Sequence, residues 1–482
     1  MQKKFVGSLA LLLFANFLIK PIWIFGIDLK VQNLVEGDSY GLYASVFSFV
    51  IIFNIVLDMG LAHYSNREIA SDQKVLARHF SELFFVKVSL AFVYFIIAML
   101  LGFFLDYWSE GFTVLLWLSL SQIFSSLLYF LRSHFAGLHL FKWDTLFSVL
   151  DKSLMILLAG YIIYFSNIQI SIELFAALQA LAYGLTAGLA LVIILWKVPY
   201  FKPSFEWPKF KSRLHSSIPY ALMIFLMSLY TRVDSVMLQQ LVGNTETAIY
   251  AQAFRLLDTL NQPAYLFSVL LLPMFATLFA RKDSVSELAK LAFVLIYVMT
   301  LSISLGACFE APAIMDYLYI RHSEISSTLL QVLLFSSLAS GATFVFGTML
   351  TARGNLRQLN YIALGGFALN AIMNAALIPF YGAMGAAVAT IGTQSLSALL
   401  QFRLSYACAK LNWPLSFLGR FLAYTLQSVL VAWGLSLLGF EWYYSLTLII
   451  VGVALSALMW KLLPWRNATE LLKERLKERN SG

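Results

Sequence analysis

Residues 229–241 read LYTRVDSVMLQQL. Arg232 and Asp234 stand two apart in a segment otherwise apolar enough to cross a bilayer. There each charge costs about 2.5–3.5 kcal/mol on insertion scales. Whether this segment is a span decides the fold, and the rest of the chain supplies the context. Of the 482 residues, 60% are hydrophobic and only 12% are charged, against about 25% charged in an ordinary soluble domain. Apolar runs of about 20 residues, enough to cross the hydrocarbon layer, recur along the whole length. No polar block between them is long enough to fold as a soluble domain. The soluble classes are excluded, and 229–241 is part of a membrane span.

The pattern predicts an all-α integral membrane protein of fourteen transmembrane helices: 6–34, 40–64, 83–105, 112–136, 143–165, 172–196, 215–242, 247–279, 288–310, 326–350, 358–379, 382–407, 415–438 and 442–463. Dense helical runs without alternating strands favour a bundle over a barrel. The opening MQKKFVGSLALLLFANFLIK has the charge and apolar core of a signal peptide. It lacks a small-x-small cleavage site, so a retained first helix is expected. With the N-terminus inside, Arg67, Lys74, Arg78, Lys197, Lys202, Lys209, Lys211, Arg213, Arg281, Lys282, Arg353 and Arg357 fall in or beside cytoplasmic segments. The opposite loops carry Glu36, Asp38, Asp106, Glu110, Glu246, Asp316 and Glu441, with Lys30 and Arg321 as their cations. This asymmetry places both termini in the cytoplasm. It also accounts for the net charge of +8 without a nucleic-acid partner. Cys308 and Cys408, near the ends of different helices, suggest packing rather than a disulfide or metal site.

An internal repeat organises the chain. IDLKVQNLVEGDSYGLYASVF from Ile27 matches VDSVMLQQLVGNTETAIYAQAF from Val233. Asp28 aligns with Asp234 and Gly37 with Gly243; after one inserted residue, Tyr43 aligns with Tyr250 and Phe47 with Phe254. Six helices separate the copies, so they share one orientation, a parallel repeat whose interface is a common place for a transport site. The expected domains are a six-helix lobe over 1–200, a second over 201–410, two peripheral helices over 411–463 and a charged cytoplasmic tail over 464–482.

The candidate site follows from the intramembrane charges. Lys20 and Asp28 lie in span one, Arg232 and Asp234 in span seven, Arg255 and Asp258 in span eight. At 1.5 Å per residue, Arg232 and Arg255 lie roughly 12–15 Å below the outer surface, and Lys20 is expected at a similar depth. Arg232 and Asp234 point about 160° apart around their helix and cannot pair directly, whereas Arg255 and Asp258 are spaced to do so. One reading is a ring of internal salt bridges. The functional reading is that Lys20, Arg232 and Arg255 bind an anionic head group, arginine offering a bidentate fork for phosphate. Asp28, Asp234 and Asp258 then tune that site or carry a coupling proton or cation. Asn54, Gln252, Asn261 and Gln262 are candidate contacts for sugar hydroxyls. Pro21, Pro263 and Pro273 are expected to permit bends in helices one and eight, and His63 and His134 are expected at cytoplasmic helix ends. Asn370 and Asn374 share a helical face in span eleven and are expected to bond between helices.

Three longer stretches carry a family resemblance: YGLYASVFSFVIIFNIVLDMGLAHYSNREIA from Tyr40, RSHFAGLHLFKWDTLFSVLDK from Arg132, and RVDSVMLQQLVGNTETAIYAQAFRLLDTL from Arg232. They resemble the polysaccharide transporter, or O-antigen flippase, branch of the multidrug/oligosaccharidyl-lipid/polysaccharide flippase superfamily, across roughly the first 410 residues. The resemblance implies two six-helix lobes around a V-shaped cavity, with two peripheral helices. It also implies movement of undecaprenyl-diphosphate-linked glycan units across the bacterial inner membrane by alternating access, driven by an ion gradient. Lys20, Arg232 and Arg255 match by helix and depth the cavity cations of that family. No cofactor is implied beyond a coupling ion, H+ or Na+. The expected partners are the lipid-linked oligosaccharide, membrane lipids and a glycan polymerase of the same pathway, with the chain itself a monomer. Two alternatives stand beside this. A drug/cation antiporter of the same superfamily calls for an acidic, aromatic cavity rather than a cationic one. A membrane polymerase or glycosyltransferase calls for a large outer loop, and the outer loops here are short. No Walker A loop, HExxH or CxxC motif occurs, which argues against an enzyme.

Overall fold

A computed structural model describes residues 18–35, 39–59, 75–138, 140–196, 207–409 and 411–462; the side chains of 75–79, 137, 141, 207–221 and 223 lie outside that description. The start of span one, the loop carrying His63 and Arg67, and the charged tail therefore lie outside the described residues. Every described element is helical, as a lipid-embedded backbone requires when water cannot satisfy its amides. The chain forms two compact units, Met1–Ala251 and Gln252–Gly482.

The first unit contains α1 (Ile22–Asp28), α2 (Leu29–Leu34), α3 (Ser39–Ile52), α4 (Asn54–Asp58), α5 (Val75–Phe104), α6 (Tyr107–Gly137), α7 (Phe141–Phe147), α8 (Leu150–Phe165), α9 (Ile172–Leu195), α10 (Trp207–Val242) and the start of α11 (Asn244–Arg281). Its most extensive packing is α6 on α9, followed by α10 on α3. Small residues make the close approach possible. Ala180, Ala187 and Ala190 of α9 are buried, and Gly184 lies against the ring of Phe124. The second unit holds the rest of α11, then α12 (Ser286–Phe309), α13 (Ala311–Leu318), α14 (Ser323–Arg353), α15 (Leu356–Ala409), α16 (Leu415–Ser436) and α17 (Trp442–Met459). Here α12 and α14 meet through serines, with Ser304 and Ser337 hydroxyls 2.6 Å apart. Large apolar side chains on the outer surfaces, such as Phe92 and Phe104 of α5, are exposed, as expected of surfaces solvated by lipid.

Ten described helices are long and apolar enough to cross a membrane, against the fourteen spans expected. One source of the difference is α15, whose 54 residues hold two expected spans. The chain reverses inside it. Gly382 adopts φ 53°, ψ −133°, and a Cβ on Gly385 would crowd the Leu377 carbonyl. In a straight helix residues eight apart are separated by about 12 Å, so the limbs on either side of Gly382 run back along each other. Pro379, three residues earlier, removes a backbone donor at the same place.

Three other helices depart from the expected outline. Span one is π-helical from Ile22 to Asp28, directly after Pro21. Span two breaks at a turn at Phe53, and α4 ends in left-handed Met59 (φ 44°). By contrast α11 continues as helix through both Pro263 and Pro273. His134, expected at an interface, is fully buried between the rings of Phe80 and Phe130. Its Nδ1 donates to the Phe130 carbonyl at 2.8 Å. Asn374 donates to Asn370 within its own helix at 3.1 Å.

Candidate functional site

The polar groups of the first unit form three clusters at different levels. The first joins the ends of α2 and α10 to the starts of α3, α6 and α11. Tyr40 donates to Asp28 Oδ1 at 3.1 Å, and Tyr250 donates to Asp234 Oδ2 at 2.9 Å. The two acids are the aligned pair of the internal repeat, and each is met by a tyrosine from the following helix. Asp234 is buried, while Asp28 is half-buried. Tyr43, the tyrosine aligned with Tyr250, donates instead to Gln179 Oε1 at 3.2 Å. Gln32 reaches the Ala248 carbonyl at 3.3 Å. Gln239 donates to Glu110 at 2.9 Å and Gln240 to the Leu105 carbonyl at 2.8 Å. Gly41 is pressed against the backbone of Asn244.

The second cluster surrounds Lys152, near the start of α8. Its ammonium lies 3.1 Å from Asp151 and donates to the Tyr183 hydroxyl at 2.6 Å. It also stands over the rings of Tyr183 (4.6 Å) and Trp23 (5.5 Å). Trp23 is in turn stacked on Phe175. Lys20 is exposed. Arg132 pairs through Nε with Asp144 at 2.8 Å.

The third cluster is centred on Lys87, whose side chain is 3% exposed. Its ammonium contacts Asp58 at 3.2 Å and donates to the Leu57 carbonyl at 2.8 Å and the Ser126 hydroxyl at 2.7 Å. The carbonyl belongs to the last turn of α4, where helix ends leave acceptors unsatisfied. Lys87 therefore closes the broken second span.

Arg232 is half-buried in α10 of the first unit, and Arg255 and Asp258 are half-buried in α11 of the second. None of the three is without a partner. Of the candidate sugar contacts, Asn54 donates to Gln122 at 2.8 Å. Gln252 is buried and donates to the Arg321 carbonyl at 3.1 Å, a tie within the second unit. Asn261 is half-buried and Gln262 exposed on α11. Lys87, Arg132 and Lys152 were not among the candidate ligands. Their signal was present, since Lys87 and Arg132 fall inside the expected spans 83–105 and 112–136.

The fold recurs in solved structures. The inward closed conformation of the lipid II flippase MurJ matches over 94% of this chain and 99% of that one, at TM-score 0.72 and 15% identity. A multidrug resistance MATE family transporter in an inward-facing conformation matches over 80% and 94%, at TM-score 0.57 and 15% identity. A MOP superfamily transporter from Pyrococcus furiosus, described as having a binding pocket of reverse polarity, matches over 84% and 94%, at TM-score 0.60 and 14% identity. No curated protein matches the sequence. The family model described as "Polysaccharide biosynthesis protein" matches residues 4–279, more than half of the 482 residues. The chain belongs to the polysaccharide biosynthesis protein family, on the fold shared by MurJ and the MATE transporters.

Proposed function

We propose that this protein is a flippase for an oligosaccharide carried on undecaprenyl diphosphate. It moves a repeat unit of O-antigen, capsule or exopolysaccharide from the inner to the outer leaflet of the bacterial cytoplasmic membrane. One observation carries the reading: a polysaccharide biosynthesis match over residues 4–279 lies on a fold that follows a lipid II flippase over 94% of the chain. Both termini are cytoplasmic, and the chain acts as a monomer by alternating access, beside a glycan polymerase. Lys20, Arg232 and Arg255 hold the diphosphate or an acidic sugar. Asp28, Asp234 and Asp258 balance those cations and couple transport to H+ or Na+. Asn54, Asn261 and Gln262 offer amides to sugar hydroxyls, and Gln252, tied through its amide nitrogen, contributes its carbonyl end alone.

The decisive experiment is removal of the chain from its host. Lipid-linked oligosaccharide should accumulate on the inner leaflet and surface glycan should fall, and both should recover on re-expression. A host that keeps normal glycan and precursor levels without the chain overturns the reading. Altered tolerance of cationic drugs with no precursor accumulation would point to an antiporter instead.

A further inference from the structure

We propose that the starts of α12 and α16, in the second unit, form a seat for the head group of an anionic phospholipid, with Lys290 and Arg420 as its cations. The inference goes beyond the flippase reading. It uses none of the residues assigned to the transported substrate and concerns a lipid of the surrounding bilayer.

Three rungs join the two helices. The Lys290 ammonium stands over the Phe417 ring, 4.9 Å from its centre. The rings of Phe293 and Phe421 lie 5.3 Å apart, and the hydroxyls of Tyr297 and Thr425 lie 3.1 Å apart. Residue numbers rise together along both helices, so α12 and α16 run in the same direction and in register. Their starts are also tied directly, since the Asn412 amide donates to the Ser286 hydroxyl at 3.0 Å. Lys290 is thus the lowest rung, about one turn from the end at which both helices begin. In the proposed orientation that end meets the inner leaflet.

Arg420 reaches toward the same end by bending back. Its Nε donates to the Ser416 carbonyl at 3.2 Å, which draws the guanidinium one turn toward the start of α16. This is the path by which a long basic side chain inside a span reaches the head groups. Beside it the outer surface of α16 is apolar: Leu415, Leu422 and Leu426 are all exposed, as acyl chains require.

Neither cation is neutralised. Among the described residues Lys290 makes no hydrogen bond or ion pair, and the terminal nitrogens of Arg420 are unengaged. Asp283 and Glu287, the acids nearest Lys290 in sequence, are exposed and pair with neither cation. Arg281, Lys282 and Lys461 lie at the neighbouring helix ends, so the local field is positive. A lipid phosphodiester supplies the missing charge. Its oxygens suit the open edge of a guanidinium, and clustered basic residues beside a span concentrate anionic lipid. The face of buried Phe417 already holds the ammonium, which lowers the ordering cost of binding. A zwitterionic lipid brings the same phosphate with a cation that these side chains repel, so the seat selects the anionic class.

The test is a lipid titration of the full chain in mild detergent, with bound lipid counted by native mass spectrometry. Dioleoyl phosphatidylglycerol and dioleoyl phosphatidylcholine are added at equal concentration, and the parent should retain the phosphatidylglycerol in preference. Lys290→Gln and Arg420→Gln should each weaken its binding about fivefold, the weight of one basic residue at an anionic membrane surface. Lys290→Arg should bind as the parent does, which separates loss of charge from loss of fold. Arg357→Gln removes an exposed cation at the start of α15 and should change binding by less than about twofold, because charge away from the head group is screened. Equal retention of the two lipids by the parent overturns the proposal, as does parental phosphatidylglycerol binding in both glutamine variants. A loss in Arg357→Gln as large as in Lys290→Gln overturns the local seat in favour of diffuse surface charge. Displacement of phosphatidylglycerol by inorganic phosphate at equal concentration overturns the lipid assignment. None of these outcomes bears on glycan export, which removal of the chain tests separately.

Discussion

Gly41 and Asn244 meet backbone to backbone. A Cβ added to Gly41 would overlap the Asn244 carbonyl, so the start of α3 and the start of α11 touch with no room for a side chain. Gln32, in the last turn of α2, bonds to the Ala248 carbonyl beside this contact. In the proposed orientation these are outer helix ends, and the contact closes the outer side of the first unit. Backbone cannot yield as a flexible side chain can, so Gly41→Leu must separate the two starts. The expected result is faster reaction of a cysteine placed at Ala248, buried in the parent, with a membrane-impermeant maleimide. Unchanged labelling in Gly41→Leu would mean that the contact is not a closure.

The repeat-related acids give a second prediction. Tyr40→Phe and Tyr250→Phe each remove one hydrogen bond to a carboxylate, an interaction worth about 1.5–3 kcal/mol when the acceptor is charged. Asp234 is 2% exposed and cannot replace the lost donor with water, whereas half-buried Asp28 can in part. Tyr250→Phe should therefore lower the thermal midpoint in detergent more than Tyr40→Phe. The reverse order would show that burial does not govern the two pairs.

Much of this was legible in the sequence, and the limits have physical causes. The membrane class follows from apolar run length, which the bilayer imposes directly. The reversal in α15 was visible in IPFYGAMG, because Pro379 and Gly382 each act on their own backbone. The aligned aspartates were visible too, but not their tyrosines: Asp28 takes Tyr40 and leaves Tyr43 to Gln179, a choice made by packing between helices. Lys87, Arg132 and Lys152 show the same limit. Each was detectable as a charge within or beside a span, yet its partners come from helices distant in sequence. The π-helical turn after Pro21 was hidden for another reason, since a proline announces a disturbance without saying how the helix absorbs it.

The broken second span supplies a third prediction. Lys87→Met leaves Asp58 without its 3.2 Å partner and the Leu57 carbonyl without a donor. Breaking a buried pair from one side costs about 3–5 kcal/mol; with Asp58 22% exposed, the lower end, about 3 kcal/mol, is expected. Lys87→Met/Asp58→Asn should recover part of the loss, because no buried charge is then stranded. A double variant no more stable than Lys87→Met would place the cost in the Leu57 carbonyl and Ser126 rather than in the ion pair.

Arg232 and Arg255 test the proposed transport role most directly. Each is half-buried within a long helix. Arg232→Ala and Arg255→Ala should each abolish glycan export while the protein still inserts at parental abundance, measured as surface glycan against membrane protein. Arg232→Lys separates two kinds of recognition. If charge alone holds the anion, lysine should restore much of the export. If the planar fork makes two bonds to phosphate oxygens, lysine should restore little, because a point charge cannot reproduce that geometry. Normal surface glycan in both alanine variants would remove these arginines from the anion site and leave Lys20 as its principal cation.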